Sequence, residues 1–386
     1  MNPLPSTDAI NMPADFRGSL IDYERLATAF EQRSAPVSAP APTDNGSTNE
    51  EVFVVREVGH RASSLRLIGI TCIGNEADIV EAFVRHNLTL FDHLLILEHN
   101  TLDGTREILD HLIAEGLPIT VEHSAEPRFL QRQFTNHLCR RAVDEFAADW
   151  VFPIDSDEFL LASSRDELDS ILGEAGAAHV RLGWVNYVPQ PSDDPSELHP
   201  VRRIRHYYDY PLPSVDDNPW VWKIAVNVAF LGDYYLDRYE IGQGNHFLTL
   251  LGGHQPIDAP MPPSERLRLA HFSVRSADQI GIKSAMGLLS RLGTNSKSAH
   301  FAAIWHEVTS GKVCHETMAA SVRNYLDTGR ASAESLRETP TRYAPLTVTE
   351  PLRYGSVRLS SISVLMKWIE LNLLSEDQRR ERMLLK

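Results

Sequence analysis

The sequence predicts an α/β fold built on a mostly parallel sheet, and three observations predict it. Apolar runs of buried-strand type recur at Leu65 to Ile73, Leu94 to Leu97 and Val151 to Ile154. Segments of helical period lie between them, and each run ends in a polar loop. Strands alternating with helices in this way build parallel sheets. At 386 residues the chain has the length for one large domain with additions.

The elements follow in order. Residues 1 to about 50 hold one weak helical pattern at Leu20 to Phe30 and a Pro/Ala/Ser-rich stretch from Ser34 to Thr48, which buries little and is expected to be disordered. Leu65 to Ile73 reads as a buried strand. After Gly74-Asn75-Glu76 comes a helix through His86, with Ile79, Val80 and Phe83 facing inward. Leu94 to Leu97 is a second strand, closed by the turn from Glu98 to Thr105; Ile108, Leu109, Leu112 and Ile113 then sit at helical spacing, with Gly116 as the stop. Pro118 to Val121 is a third strand. Leu130, Phe134, Leu138, Ala142 and Phe146 recur every four residues and mark one stripe of a long helix.

That helix delivers the chain to Trp150-Val-Phe-Pro-Ile-Asp155-Ser-Asp157-Glu158-Phe159-Leu160, where a short strand runs into three carboxylates. An isolated D-x-D is commonly a solvated loop or a helix cap. Here four apolar residues lead in and a β-α alternation precedes, so the pair reads as a metal site: hard oxygen ligands suit Mg²⁺ or Mn²⁺. Ligands of open α/β sheets bind beyond the carboxyl ends of the strands. Asn75-Glu76, Asn100 to Thr105 and Asp155 to Asp157 all fall there.

Beyond the triplet, Asp166 to Leu172 reads as a helix and His179 to Val188 as a strand. Residues 189 to 219 form a long Pro/Asp/Ser-rich loop, expected to be functional or mobile. Trp222 to Leu231 reads as a strand. Tyr239 to Leu251 carries Gly242-Gln-Gly-Asn-His246, and Leu267 to Val274 brings His271. Ser276-Ala-Asp-Gln279 is a capping box opening a helix towards Gly293. The tail from Ser356 has helical spacing at Ile362, Leu365, Trp368, Ile369 and Leu373, read as packing on its own domain with peripheral membrane contact as the alternative. No internal repeat is present.

Composition excludes several classes. A formal net charge of −15 argues against a nucleic-acid binder. Cys72, Cys139 and Cys314 are far apart, without C-x-x-C, as in a reducing compartment. No apolar run of transmembrane length and no signal-type amino terminus occurs, so a soluble, cytoplasmic protein is expected. There is no H-E-x-x-H, and Gly242-Gln-Gly-Asn-His-Phe lacks the third glycine of a dinucleotide fingerprint. His271, between a short apolar strand and a capped helix, reads either as completing a coordination shell or as a hydrogen-bonded core histidine. Asp103-Gly104-Thr105 makes a turn and cap, beside which a helix start can hold an anion.

Four motifs line up in order and spacing: Ile70-Thr-Cys-Ile-Gly-Asn-Glu76, His99-Asn-Thr-Leu-Asp-Gly-Thr105, Gln131 to Asn136, and Ile154-Asp-Ser-Asp-Glu-Phe159. On these, residues 65 to 290 resemble family 2-like glycosyltransferases of the GT-A fold, in particular the D-x-D-E-F subgroup related to family 92. The chain departs from that pattern at Gly74, where a basic residue is usual, and at His99, where an aspartate is.

The resemblance implies a Rossmann-like, mostly parallel sheet flanked by helices in residues 51–295, followed by a helical C-terminal extension, 296–386. It implies a UDP- or GDP-sugar donor held by Asn75, Glu76, Asp103, Arg132, Asn136 and Asp155, and Mn²⁺ or Mg²⁺ held by Asp155, Asp157 and His271. Lys223 and Gly244-Asn-His246 resemble a K…G-x-H segment of the acceptor half. The implied activity is glycosyl transfer, inverting, to a glycan, lipid-linked or protein acceptor, as in polysaccharide biosynthesis. Asp237, Glu240 and His246 are each eligible to take the acceptor proton. Two alternatives stand beside it. A haloacid-dehalogenase-type phosphotransferase would carry its D-x-D on the first strand of the sheet, whereas three strands precede it here. A non-catalytic nucleotide- or carbohydrate-binding module would bind without turnover.

Overall fold

The structure, a computed structural model, describes residues 65–208 except 125, 127 and 128, then 222–232, 238–253 and 267–289, with 257, 306, 310, 341–348, 352–354, 364 and 365. All of these belong to one compact unit, Val52–Ser290 with Ser298–Lys386. The expected amino-terminal linker, Asp237 and the helical tail from Ser356, apart from 364 and 365, lie outside the described residues.

The centre is an eight-stranded mixed sheet. Strand β1 (Leu67–Ile73) lies between β2 (His93–His99) and β4 (Trp150–Pro153), parallel to both, and β3 (Ile119–Ser124) extends the parallel half beyond β2. Beyond β4 come β8 (Trp222–Asn227), β6 (His179–Asn186), β11 (Arg268–His271) and, at the edge, β5 (Glu158–Leu161). Four of the seven pairings are parallel; β4 with β8, β8 with β6, and β11 with β5 are antiparallel. The chain therefore leaves β4 through the acidic turn and crosses to the far edge.

Successive residues of β4 face opposite sides of the sheet. Trp150, Phe152 and Ile154 join one core layer with Phe83, Leu109 and Leu172, from helices α1 (Val80–Asn87), α2 (Thr105–Ala114) and α4 (Arg165–Glu174). Val151 joins the other with Ile68, Ile70, Leu95, Ile224 and Leu138, the last from α3 (Gln131–Asp144). A sheet covered on both faces must be apolar on both, which is why β1 and β2 read as continuous apolar runs. Each fully buried Leu, Ile, Val or Phe contributes about 1.5–3 kcal/mol. Gly69 on β1 leaves room for its neighbours: a Cβ there would lie 2.5 Å from Leu94 Cδ2 and 2.7 Å from a Phe91 ring carbon, so both side chains would have to shift.

Several elements differ from the sequence reading, and the segment read as one long loop, residues 189 to 219, carries a helical turn at Pro200–Arg203 and a strand at His206–Tyr208. The strand from Trp222 stops at Asn227, whose side chain accepts from Phe230 N at 3.0 Å and caps a helical turn, Val228–Leu231. In the segment expected to be a helical extension, β12 (Thr341–Tyr343) is a strand, antiparallel to β7 (His206–Tyr208). Of the predicted capping box, the Ser276 half forms: Gln279 N donates to Ser276 Oγ at 3.1 Å, opening α5 (Ala277–Leu289), while the Gln279 side chain accepts from Arg275 N at 3.0 Å rather than from Ser276 N.

Candidate active site

Three loops meet at the carboxyl ends of β1, β2 and β4. Asn75, in the left-handed region at φ 59°, accepts from Leu102 N at 2.7 Å. Buried Asp103 accepts from Ala77 N at 3.0 Å and from Thr105 N and Oγ1 at 3.1 and 2.6 Å, while Thr105 Oγ1 accepts from Glu76 N at 2.9 Å. Asp103 thus ties the first loop to the second. Burial raises its carboxyl pKa and these donors oppose that.

The third loop carries the acidic triplet. Glu158 turns back and accepts from Asp155 N at 2.8 Å and from Trp184 Nε1 at 2.8 Å. Phe159 packs edge-on against Phe83, His86 and Phe272. These two residues set the turn and leave the aspartates to face the loop cluster: the Asp155 side chain is 40% exposed and that of Asp157 only 3%.

Cations from distant elements meet these carboxylates. Lys223 on β8 reaches Asp155 Oδ2 at 2.7 Å, the Gly244 carbonyl at 2.8 Å and Glu158 Oε1 at 3.7 Å. Lys283 on α5 reaches Asp157 Oδ2 at 2.8 Å. Fully buried Arg275 pairs with Asp78 at 2.8 and 3.0 Å and with Glu76, and lies 3.7 Å from Asp157 Oδ2. It is the link between the Asn75-Glu76 loop and the acidic turn.

Asp157 differs electrostatically from Glu158 and Glu76. Burial alone would raise the Asp157 carboxyl, but Lys283, His271 and Arg275 outweigh it and hold it well below the usual range. Burial pushes Glu158 up to about 8 against the pull of Lys223, with Asp155 and Asp157 adding to the rise. Burial pushes Glu76 up to about 7 against the pull of Arg275. Among the described residues five carboxylates, Glu76, Asp78, Asp155, Asp157 and Glu158, face three cations, Lys223, Lys283 and Arg275.

His271 ends β11 beside this turn, its Nε2 3.9 Å from Asp157 Oδ1. Its Nδ1 lies 2.8 Å from Asn186 Oδ1, and its ring stacks on Trp184 with centroids 4.6 Å apart. Burial pushes its pKa down to about 4, with Asp157 opposing. It is therefore neutral at pH 7, with Nδ1–H donated to Asn186 and the Nε2 lone pair turned to Asp157. Two carboxylates and a neutral imidazole with a fixed tautomer are a donor set that suits Mn²⁺ or Mg²⁺. Among the described residues no group of three or more His, Cys, Asp or Glu side chains is placed to hold a metal ion, so the expected Asp155, Asp157 and His271 are not brought together as one ligand set; Lys223 and Lys283 pair with the carboxylates instead.

The remaining expected residues lie on the hairpin of β9 (Tyr239–Ile241) and β10 (Leu248–Leu250) and on α3. Asn136 donates to the Ile241 carbonyl at 2.9 Å and accepts from Ile241 N at 2.8 Å, pairing with β9 as a strand would. Glu240 pairs with Arg132 and accepts from Gly252 N at 2.6 Å; Arg132 also donates to the Gly253 carbonyl at 2.8 Å. These three residues brace the hairpin. His246 sits nearer the acidic turn: its Nδ1 lies 2.6 Å from the Trp222 carbonyl, its ring edge meets Trp184, and burial with Lys223 pushes its pKa down to about 4. Gly244, at φ 79°, lets that ring pack closely, since a Cβ there would lie 2.5 Å from His246 Cδ2. Asn245 reaches Asp155 Oδ1 at 3.4 Å.

Sequence reasoning missed Lys283, Asn186 and Trp184. Lys283 lies four residues after the capping-box Gln279, on the same helix face. Asn186, a lone amide closing an apolar strand, gives a weaker signal.

No protein-family model matches the sequence, and no curated protein matches it. Among solved structures, S. aureus TarS 1–349 is similar over 71% of this chain and 76% of its own, at 11% identity and a TM-score of 0.32. Mannosyltransferase PcManGT from Pyrobaculum calidifontis, in complex with GDP-Man and Mn²⁺, is similar over 82% and 85%, at 15% identity and a TM-score of 0.33. Glucosyl-3-phosphoglycerate synthase from Mycobacterium tuberculosis, in complex with Mn²⁺, UDP and glucosyl-3-phosphoglycerate, is similar over 32% and 44%, at 18% identity and a TM-score of 0.21. Among the described residues no helix is long and apolar enough to cross a membrane.

Proposed function

We propose that the chain is a divalent-metal-dependent glycosyltransferase that moves a sugar from a nucleoside diphosphate sugar, a UDP- or GDP-sugar, to a hydroxyl of a glycan, lipid or protein acceptor, with inversion. The observation that carries this reading is His271, its Nδ1 2.8 Å from Asn186 Oδ1 and its Nε2 3.9 Å from Asp157 Oδ1, beside the acidic turn at the carboxyl end of β4. The resemblance to the D-x-D-E-F subgroup of family 2-like GT-A enzymes supports it, and so does a site that combines hard oxygens with an imidazole.

In this reading Asp155, Asp157 and His271 hold Mn²⁺ or Mg²⁺. Such an ion, when bound, offsets the negative charge that develops on the leaving diphosphate, an effect worth several kcal/mol. Asn75 and Glu76 meet the nucleotide on a loop that Asp103 braces, while Arg132 and Asn136 act one step back by holding the β9–β10 hairpin. His246, nearer the acidic turn than Glu240, takes the acceptor hydroxyl proton; Glu240, tied to Arg132, and Asp237 are the alternatives. The widely spaced cysteines support a cytoplasmic location.

Thermal melts with UDP, GDP and their sugars, each with and without Mn²⁺, test the reading. Binding to the folded state alone at 100 times Kd stabilises by about 2.7 kcal/mol. A rise in Tm with one nucleotide series, only when Mn²⁺ is present, is expected. No rise with any of them, but a rise with Mg²⁺ and a phosphate-mimicking fluoride, would replace glycosyl transfer by phosphoryl transfer.

A further inference from the structure

The two lysines on the acidic pair are held differently. Lys223 is 2% exposed and gripped by Asp155, the Gly244 carbonyl and Glu158, so it belongs to the permanent frame. Lys283 is 25% exposed and reaches Asp157 from the side of α5 on a long, flexible stem. It takes Asp157 Oδ2, while Asp157 Oδ1 faces His271 Nε2. A divalent ion seated between Asp157 and His271 would stand beside the Lys283 ammonium, and like charges so close repel. Arg275 cannot yield in the same way, because it is buried and committed to Asp78 and Glu76.

We propose that Lys283 is a displaceable counter-ion: it neutralises Asp157 while no cation is bound, and on cation binding it leaves Asp157 and pairs with the phosphate oxygens of the bound nucleotide. The inference rests on the metal-dependent nucleotide site proposed above. It accounts for a lysine sitting on a carboxylate whose ligand role needs a bare oxygen. It also predicts an order of events, since nucleotide phosphates offer the released ammonium a new partner and so tighten cation binding.

The test is Mn²⁺ binding followed by electron paramagnetic resonance of the free ion, without nucleotide and then with UDP, on the full chain and its Lys283→Met and Lys283→Arg variants. Thermal melts establish that each variant folds. Without nucleotide, Lys283→Met is expected to bind Mn²⁺ about tenfold more tightly than the wild type, because the competing cation is gone. With Mn²⁺ saturating, the same variant is expected to bind UDP about tenfold more weakly, the loss of one charge-assisted contact. Lys283→Arg keeps the charge and should stay near the wild type in both. A merely structural lysine would weaken both affinities together or neither. Wild-type Mn²⁺ binding with Lys283→Met unchanged or weaker overturns this inference and leaves the metal site standing. No Mn²⁺ binding by either protein overturns both.

Discussion

Asn186 Oδ1 stands 2.8 Å from His271 Nδ1, and this one contact decides what the imidazole can do. With its proton held on Nδ1, the ring turns Nε2 towards Asp157. Outer partners of this kind fix the tautomer and orientation of a ligating histidine, and losing one typically costs about 10–100-fold in metal affinity. Asn186→Ala should therefore raise the Mn²⁺ dissociation constant by about that factor with the fold intact. An unchanged Mn²⁺ titration would return His271 to a packing role.

Asp157→Ala removes a buried carboxylate that faces Lys283, Arg275 and His271. Breaking a buried pair from one side costs about 3–5 kcal/mol. The partly exposed Lys283 can reach water, so the lower end of that range is expected in urea melts. Mn²⁺-dependent nucleotide binding should vanish in the same variant. Retained binding would move the metal site elsewhere.

His179 supplies a pH dependence remote from the acidic turn. It is 2% exposed at the start of β6, and no hydrogen-bond partner for its Nδ1 occurs among the described residues. Burial and Arg181 push its pKa from 6.5 down to about 4. The unfolded chain takes up the proton first, so stability present above pH 6.5 is lost as pH falls towards 4. The loss reaches about 3 kcal/mol at 1.36 kcal/mol per unit. His179→Leu should flatten the acid limb of denaturant stability measured from pH 7.5 to 4. Parallel curves for the variant and wild type would contradict this.

Glu81 on α1 anchors a distant part of the chain. It accepts from Arg353 N at 2.7 Å, Tyr354 N at 2.8 Å and Arg85 Nε at 3.0 Å, and Tyr354 stacks on His111 at 4.8 Å. Glu81→Ala leaves two backbone donors and a buried guanidinium short of a partner, at about 1–3 kcal/mol each for an unsatisfied group. We expect destabilisation by a few kcal/mol in urea and faster proteolytic cleavage near Tyr354. Tyr354→Leu should show a milder form of both. Unaltered cleavage in both variants would show that the pairing of β12 with β7 holds this segment by itself.

Much of the fold was legible in the sequence, and so was the place of part of the candidate site. Ile79, Val80 and Phe83 are buried as their spacing requires, Leu138 and Ala142 face the core from α3, and Ser276 caps α5. Asp155 and Asp157 follow a buried strand, and His271 stands beside them. Arg132, Asn136 and Glu240 were legible only as polar residues near the site. Nothing local distinguishes a side chain that meets a ligand from one that braces β9.

The sequence by itself determined the succession of strands and helices and the place of the acidic pair, because hydrophobic period, caps and strand ends are properties of neighbouring residues. Only the tertiary structure decided which charges meet. Lys223 and Asp155 are 68 residues apart, Lys283 and Asp157 126, and Arg275 and Asp78 197. The crossing from β4 to an edge strand beside β11 brings them together. Charge compensation in a buried cluster depends on distance in space, and separation along the chain carries no measure of it.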